Sequence, residues 1–294
     1  MIASIRGLVS KERDLKMIWE VFKGGRRSYL VGASHFFPYH FRGSLRRYIG
    51  RVETVVFEGP LDQESARTVV AYGSQRGSCA SLVDALPPSA IARITGEFGE
   101  PWQSLSSHLL YRRVLDPHWE ELDWEQMRHL KPWMAFFRIW SHFLRKGGWT
   151  FTMELDALRI AGELGRDVQF LETIEEQLQA LDDIPLEQMV RFLTNVDWRE
   201  TREEILRSYL SGNLEGLLRR AHEFPTFCES IVEKRDPILY RRMKPFFENG
   251  NVLAFVGTTH CHRIKALFIA DGYQVCSPLP GASPREERAG ARRR

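Results

Sequence analysis

Two apolar runs in this chain end the same way. Tyr29-Leu30-Val31 passes into Gly32-Ala33-Ser34-His35, and Leu253-Ala254-Phe255-Val256 passes into Gly257-Thr258-Thr259-His260. A third run, Val55-Val56-Phe57, ends in Glu58-Gly59, and a fourth, residues 168–171, ends in Glu172. Short continuous runs rich in β-branched and aromatic residues read as strands covered on both faces. Parallel strands set their C-terminal ends along one edge of the sheet, where α/β proteins form their sites. Such a chain is constrained to an α/β fold, and two imidazoles and two carboxylates then stand at one edge.

The remaining pattern agrees with that class. Residues 15–22 read as a short first strand or a turn of helix. The turn Lys23-Gly24-Gly25-Arg26 leads into a strand over residues 28–31, and residues 45–49 fit a crossover helix before the strand at 52–58. Residues 62–78 are weakly helical, and Pro87-Pro88 should end one helix and begin another. Residues 119–145 carry Leu122, Met127, Leu130, Trp133, Phe137, Trp140 and Leu144 at helical intervals, which predicts core packing or one wall of an apolar cleft. Helices at 154–165 and 175–181 flank the strand at 168–171, and helices dominate to about Met243. Pro245 should begin the approach to the strand at 251–256; a helix over 262–270 and a final strand at 273–275 follow. The expected architecture is α/β, a mixed central sheet with a long helical insertion (about 100–245) between two α/β halves, in a single domain over residues 1–284.

Charge narrows the partners. The 41 Lys and Arg against 38 Asp and Glu suggest a mildly basic protein, but the last ten residues hold five arginines and two glutamates. The other 284 residues balance at 36 basic and 36 acidic, so no basic patch points to nucleic acid, and residues 285–294 read as a disordered basic tail. Ile5, Leu8 and Val9 are followed at once by Lys11, Glu12, Arg13 and Asp14, which is no secretory core, and no stretch is long enough to span a bilayer. Cys79, Cys228, Cys261 and Cys276 show no CxxC spacing. A cytoplasmic protein is the expectation.

His35 and His260 can coordinate a divalent metal through their ring nitrogens, and Glu58 can add a third ligand or activate a bound water. Two histidines and a carboxylate suit catalytic zinc and tolerate manganese, cobalt or iron. Unrelated structural roles for the two histidines are the plain alternative. Glu172 reads either as a supporting carboxylate or general base, or as a helix N-terminal carboxylate favoured by the dipole. Arg235, in Glu233-Lys234-Arg235-Asp236, can orient a protein carboxylate or bind a substrate carboxylate, with solvated surface as its default. His40 and His262 are further ligand or proton-shuttle candidates, and Cys261 has no partner that would make it a nucleophile. Neither a P-loop, a dinucleotide fingerprint nor HExxH occurs.

Taken together these segments resemble the TraB/PrgY/GumN family, which includes the Tiki proteins. The likeness runs in order from Ile18-Trp19-Glu20-Val21 through the first GxxH and Val55-Val56-Phe57-Glu58 to Leu130-Lys131-Pro132-Trp133. It continues through Ala161-Gly162-Glu163-Leu164-Gly165-Arg166-Asp167-Val168, Leu171-Glu172-Thr173-Ile174-Glu175-Glu176-Gln177, Lys234-Arg235-Asp236, the second GxxH and Asp271-Gly272-Tyr273-Gln274-Val275. The resemblance implies an α/β fold with His35, Glu58 and His260 at the active centre and Glu172 and Arg235 in support. Tiki members look like metal-dependent proteases using manganese or cobalt, so it also implies Mn2+ or Co2+, with Zn2+ as another choice. Two features depart from the family: its usual Arg-Asn pair reads Arg235-Asp236, and Cys261-His262-Arg263-Ile264 lacks a glycine-containing turn.

The leading expectation is a metal-dependent hydrolase, a peptidase in which a metal-bound hydroxide attacks an amide while Glu58 or Glu172 handles the proton. The alternative is a non-catalytic peptide-binding or sequestering protein of the pheromone-shutdown type. A metal-independent esterase with a histidine as general base is a third. A peptide is the expected partner under the first two.

Overall fold

A computed structural model describes residues 11–75, 77–98 and 123–278. Six strands form one sheet: β1 (Ile18–Lys23), β2 (Arg26–Ala33), β3 (Thr54–Phe57), β4 (Asp167–Phe170), β5 (Val252–Gly257) and β6 (Gln274–Cys276). Their order across the sheet is β4-β3-β5-β2-β1-β6. The four strands from β4 to β2 run parallel, while β1 is antiparallel to both β2 and β6. The expected mixed sheet is therefore present. The ambiguous first element is a strand because a two-residue loop turns it onto β2. Gly24 and Gly25 have φ of +58° and +79°, which matches a hairpin loop needing two left-handed residues, and Lys23 pairs with Arg26.

β2, β3 and β5 are almost wholly buried, as strands with helices on both faces should be. The late strand β5 is inserted between the two early ones: Phe255 is in register with Val31 on one side and Phe57 on the other. The Phe57 and Phe255 rings stack at 5.1 Å. This insertion brings the second histidine motif between the first and the glutamate.

The early helices are α1 (Arg42–Ile49), α2 (Gln63–Gly73), α3 (Leu82–Ala85), α4 (Pro88–Phe98), α5 (Trp124–Arg128), α6 (Pro132–Lys146) and α7 (Met153–Glu163). After β4 come α8 (Ile174–Asp182), α9 (Leu186–Asn195), α10 (Trp198–Ser211), α11 (Leu214–Ala221), a π-helical turn (Glu229–Glu233), α12 (Asp236–Asn249) and, after β5, α13 (Cys261–Ala270). The helix read over 119–145 is two helices in its described part, because Pro132 opens a new one at its first position. Its aromatic face is core: Phe136 and Trp140 meet Phe192 and Phe224 edge-on, and Trp140 also meets Trp198. The approach to β5 also differs from expectation, since α12 continues through Pro245 to Asn249. Both Pro245 and Arg241 are exposed, so water reaches the carbonyl that loses its intrahelical donor. Among the described residues no helix is long and apolar enough to cross a membrane. The basic segment 285–294 lies outside the described residues.

Candidate site at the C-terminal edge of the sheet

The strand ends are tied together before any functional side chain is considered. Thr258 donates its hydroxyl to the Ala33 carbonyl at 2.7 Å, and the buried Tyr209 hydroxyl donates to the Gly32 carbonyl at 2.6 Å. The Glu172 amide donates to the Glu58 carbonyl at 2.9 Å. Neither motif glycine bends the chain. Gly32 lies within β2, and a Cβ there would stand 3.2 Å from Cys261 Sγ and 3.3 Å from Thr258 Cγ2, so its value is close approach. Gly257 has φ −52°, and a Cβ would crowd His260 Cδ2 at 3.3 Å.

Arg235 is the hub. It follows the π-helical turn and immediately precedes α12, with only 9% of its surface exposed. Its Nε donates to Glu172 Oε1 at 3.0 Å, and its Nη2 donates to Glu172 Oε2 at 2.5 Å and Glu58 Oε1 at 2.6 Å. The default surface reading of Arg235 is thus overturned: a planar fork that satisfies two inward carboxylates is held inside. Glu172 is buried and does not cap α8. Thr173 and Glu176 form that helix's capping box, so the alternative helix-end role falls to the next turn.

Glu58 also accepts the Gly257 amide on Oε2 at 2.8 Å, with His260 Nε2 at 3.9 Å from Oε1. Burial pushes its carboxyl upward, but Arg235, His260, the Gly257 amide and His35 together bring it down to about 2. A carboxyl depressed in the folded state stabilises above its unfolded value near 4.5 and loses that contribution as pH falls toward 2. Glu58 should therefore contribute up to about 3 kcal/mol at neutral pH, all of it lost in acid. Denaturant titrations of wild type and Glu58→Gln between pH 6 and 2 test this, since the stability gap should close across that window. A gap that stays constant would show that Glu58 is not held ionised.

The two histidines have separate carboxylate partners. His260, buried at the start of α13, shares a 2.6 Å hydrogen bond between Nδ1 and Asp236 Oδ1, and Asp236 is fully buried. His35 is 74% exposed at its side chain and meets the buried Glu154 through Nδ1 at 2.8 Å. The Glu154 carboxylate beside it raises the His35 imidazole. The second carboxylate oxygens, Glu154 Oε2 and Asp236 Oδ2, are buried without a hydrogen-bond partner. Sequence reasoning missed Glu154, which as a first-turn acid of α7 carries no signal apart from helix propensity. It noticed Asp236 only as a departure from the family's Arg-Asn pair.

The expectation of a manganese, cobalt or zinc centre on His35, Glu58 and His260 is overturned. Among the described residues no group of three or more His, Cys, Asp or Glu is arranged to hold a metal ion. The cause lies with Glu58 and with the distance between the rings: Glu58 is turned to Arg235 and the Gly257 amide. Glu58 and His260 do come together, and His35 stands apart on Glu154. Of the further candidates, His40 pairs with Asp156 at 3.2 Å and packs on Phe151, and His262 is exposed on α13. Burial pushes the Cys261 thiol well up, in keeping with a packing role.

Fold and site together define an α/β protein whose parallel strands deliver an arginine-centred network of carboxylates and histidines to one sheet edge. The TraB/PrgY/gumN family model matches residues 17–276, and the chain belongs to that family. No curated protein matches it.

Proposed function

We propose that this protein binds and sequesters a peptide without cleaving it. The observation that carries this reading is the internal pairing of the edge: Glu58 and Glu172 neutralise Arg235, and Asp236 holds His260. Carboxylates fixed in buried ion pairs are poor proton acceptors, because ionisation is what their partners stabilise. The third expectation, ester hydrolysis with histidine as base, has one observation in its favour: the exposed His35, oriented by Glu154. Glu154 raises that imidazole, however, and so favours the imidazolium, which has no lone pair with which to take a proton.

The test is retention of a random octapeptide library by the full chain, with mass spectrometry of the retained peptides after prolonged incubation, with and without chelator. Saturable retention of intact peptides is the expected result. Accumulating fragments would reject sequestration in favour of hydrolysis, and absence of any retention would reject peptide binding.

A further inference from the structure

We propose that an extended peptide docks by adding a strand to the outer edge of β4, a proposal that rests on the peptide-binding reading above. Among the described residues β4 is the last strand on its side of the sheet. Its amides at Asp167 and Leu171 donate inward, to the Glu53 and Phe57 carbonyls at 3.1 and 2.9 Å. In a parallel ladder the N–H and C=O of one residue face the same neighbour, and the next residue faces away. Asp167, Gln169 and Leu171 are thus spent on β3, while Val168 and Phe170 turn both main-chain groups outward. The pairing of β4 with β3 leaves those four groups unused. An edge of this kind is a template for another strand.

The side chains specify the occupant further. Val168 and Phe170 share one face of β4, and Phe170 is 43% exposed. Asp167 and Gln169 share the other face, where the Gln169 amide donates to both Asp167 oxygens at 3.1 Å. Asp167 is exposed and forms no ion pair among the described residues. The fitting partner is an extended segment with apolar side chains at alternate positions, to cover Val168 and Phe170, and a basic residue opposite Asp167. A second copy of this strand fits less well. Asp-Val-Gln-Phe contains no basic residue to set opposite Asp167.

Val168→Pro blocks the edge without touching the native ladder, since it removes an N–H that β3 does not use. Peptides retained from the octapeptide library, fluorescein-labelled, are titrated against wild type and Val168→Pro, with circular dichroism as the check on folding. The variant should bind at least tenfold more weakly, and hydrogen exchange at the Val168 and Phe170 amides of wild type should slow at least tenfold on binding. A second measurement leaves the protein unaltered. N-methylation of one alternate set of peptide amides should abolish binding, while methylation of the other set should preserve it. Retained peptides that bind Val168→Pro as well as wild type, or that protect amides elsewhere, would overturn the edge proposal and leave peptide binding standing. No retained peptide would overturn both. Slowed exchange at β4 that depends on protein concentration without peptide would overturn it in favour of self-association.

Discussion

Replacing Arg235 by alanine should cost about 3–5 kcal/mol of stability, the scale for removing one member of a buried ion network. The size follows from what is left behind. Glu172 is 6% exposed and loses both of its guanidinium bonds, and Glu58 keeps the Gly257 amide but loses its nearest cation. Two carboxylates gathered by one guanidinium would then repel each other across the space it filled. Arg235→Lys should recover only part of the loss, because one ammonium cannot reproduce a planar fork spanning three oxygens. Adding Glu58→Gln and Glu172→Gln to Arg235→Ala should recover more, since the stranded charges are gone. Urea unfolding of wild type and the three variants is the measurement. A loss below about 1 kcal/mol for Arg235→Ala, the range of exposed ion pairs, would show that Arg235 is solvated in its default surface role.

That burial could not be read from the chain. Glu233-Lys234-Arg235-Asp236 has the composition of a solvated turn, and nothing local says that the π-helical turn before it aims the arginine inward. The strand ends, by contrast, were legible. Continuous apolar runs closed by Gly32, Glu58 and Gly257 have one economical solution, strands buried on both faces, and parallel strands then gather their ends. The place of β5 between β2 and β3 was not legible, because register between strands distant in sequence leaves no local periodicity.

The metal expectation failed for a related reason. Residue types show what a histidine or glutamate can ligate, but the orientation of each is decided by groups outside the motif. Here those groups are Glu154, Asp236 and Arg235. Two of the three lie in segments that look like ordinary helix starts. The departure from Arg-Asn to Arg235-Asp236 was visible, and its consequence required the fold: it puts a full negative charge, rather than an amide, against Nδ1 of His260.

His260→Ala should accordingly destabilise the protein by about 3–5 kcal/mol, through the charge it strands rather than the volume it removes. Asp236 is wholly buried, its Oδ2 has no hydrogen-bond partner, and His260 Nδ1 is the partner of its Oδ1 at 2.6 Å. The N-terminal end of α12 offsets part of the cost, by about 0.3–1 kcal/mol as helix termini ordinarily do, which is too little to replace a direct contact. Removing the ring also withdraws Nε2 from its place 3.9 Å from Glu58, so the loss extends into the arginine network. The decisive comparison is a double-mutant cycle read by urea unfolding, with Asp236→Asn as the second substitution. If the stranded carboxylate is the cause, His260→Ala combined with Asp236→Asn should be more stable than His260→Ala alone, because an amide costs less to bury than a charge. Additive losses would instead mean that His260 contributes by packing, and the reading of Asp236 as the group that holds it would fail.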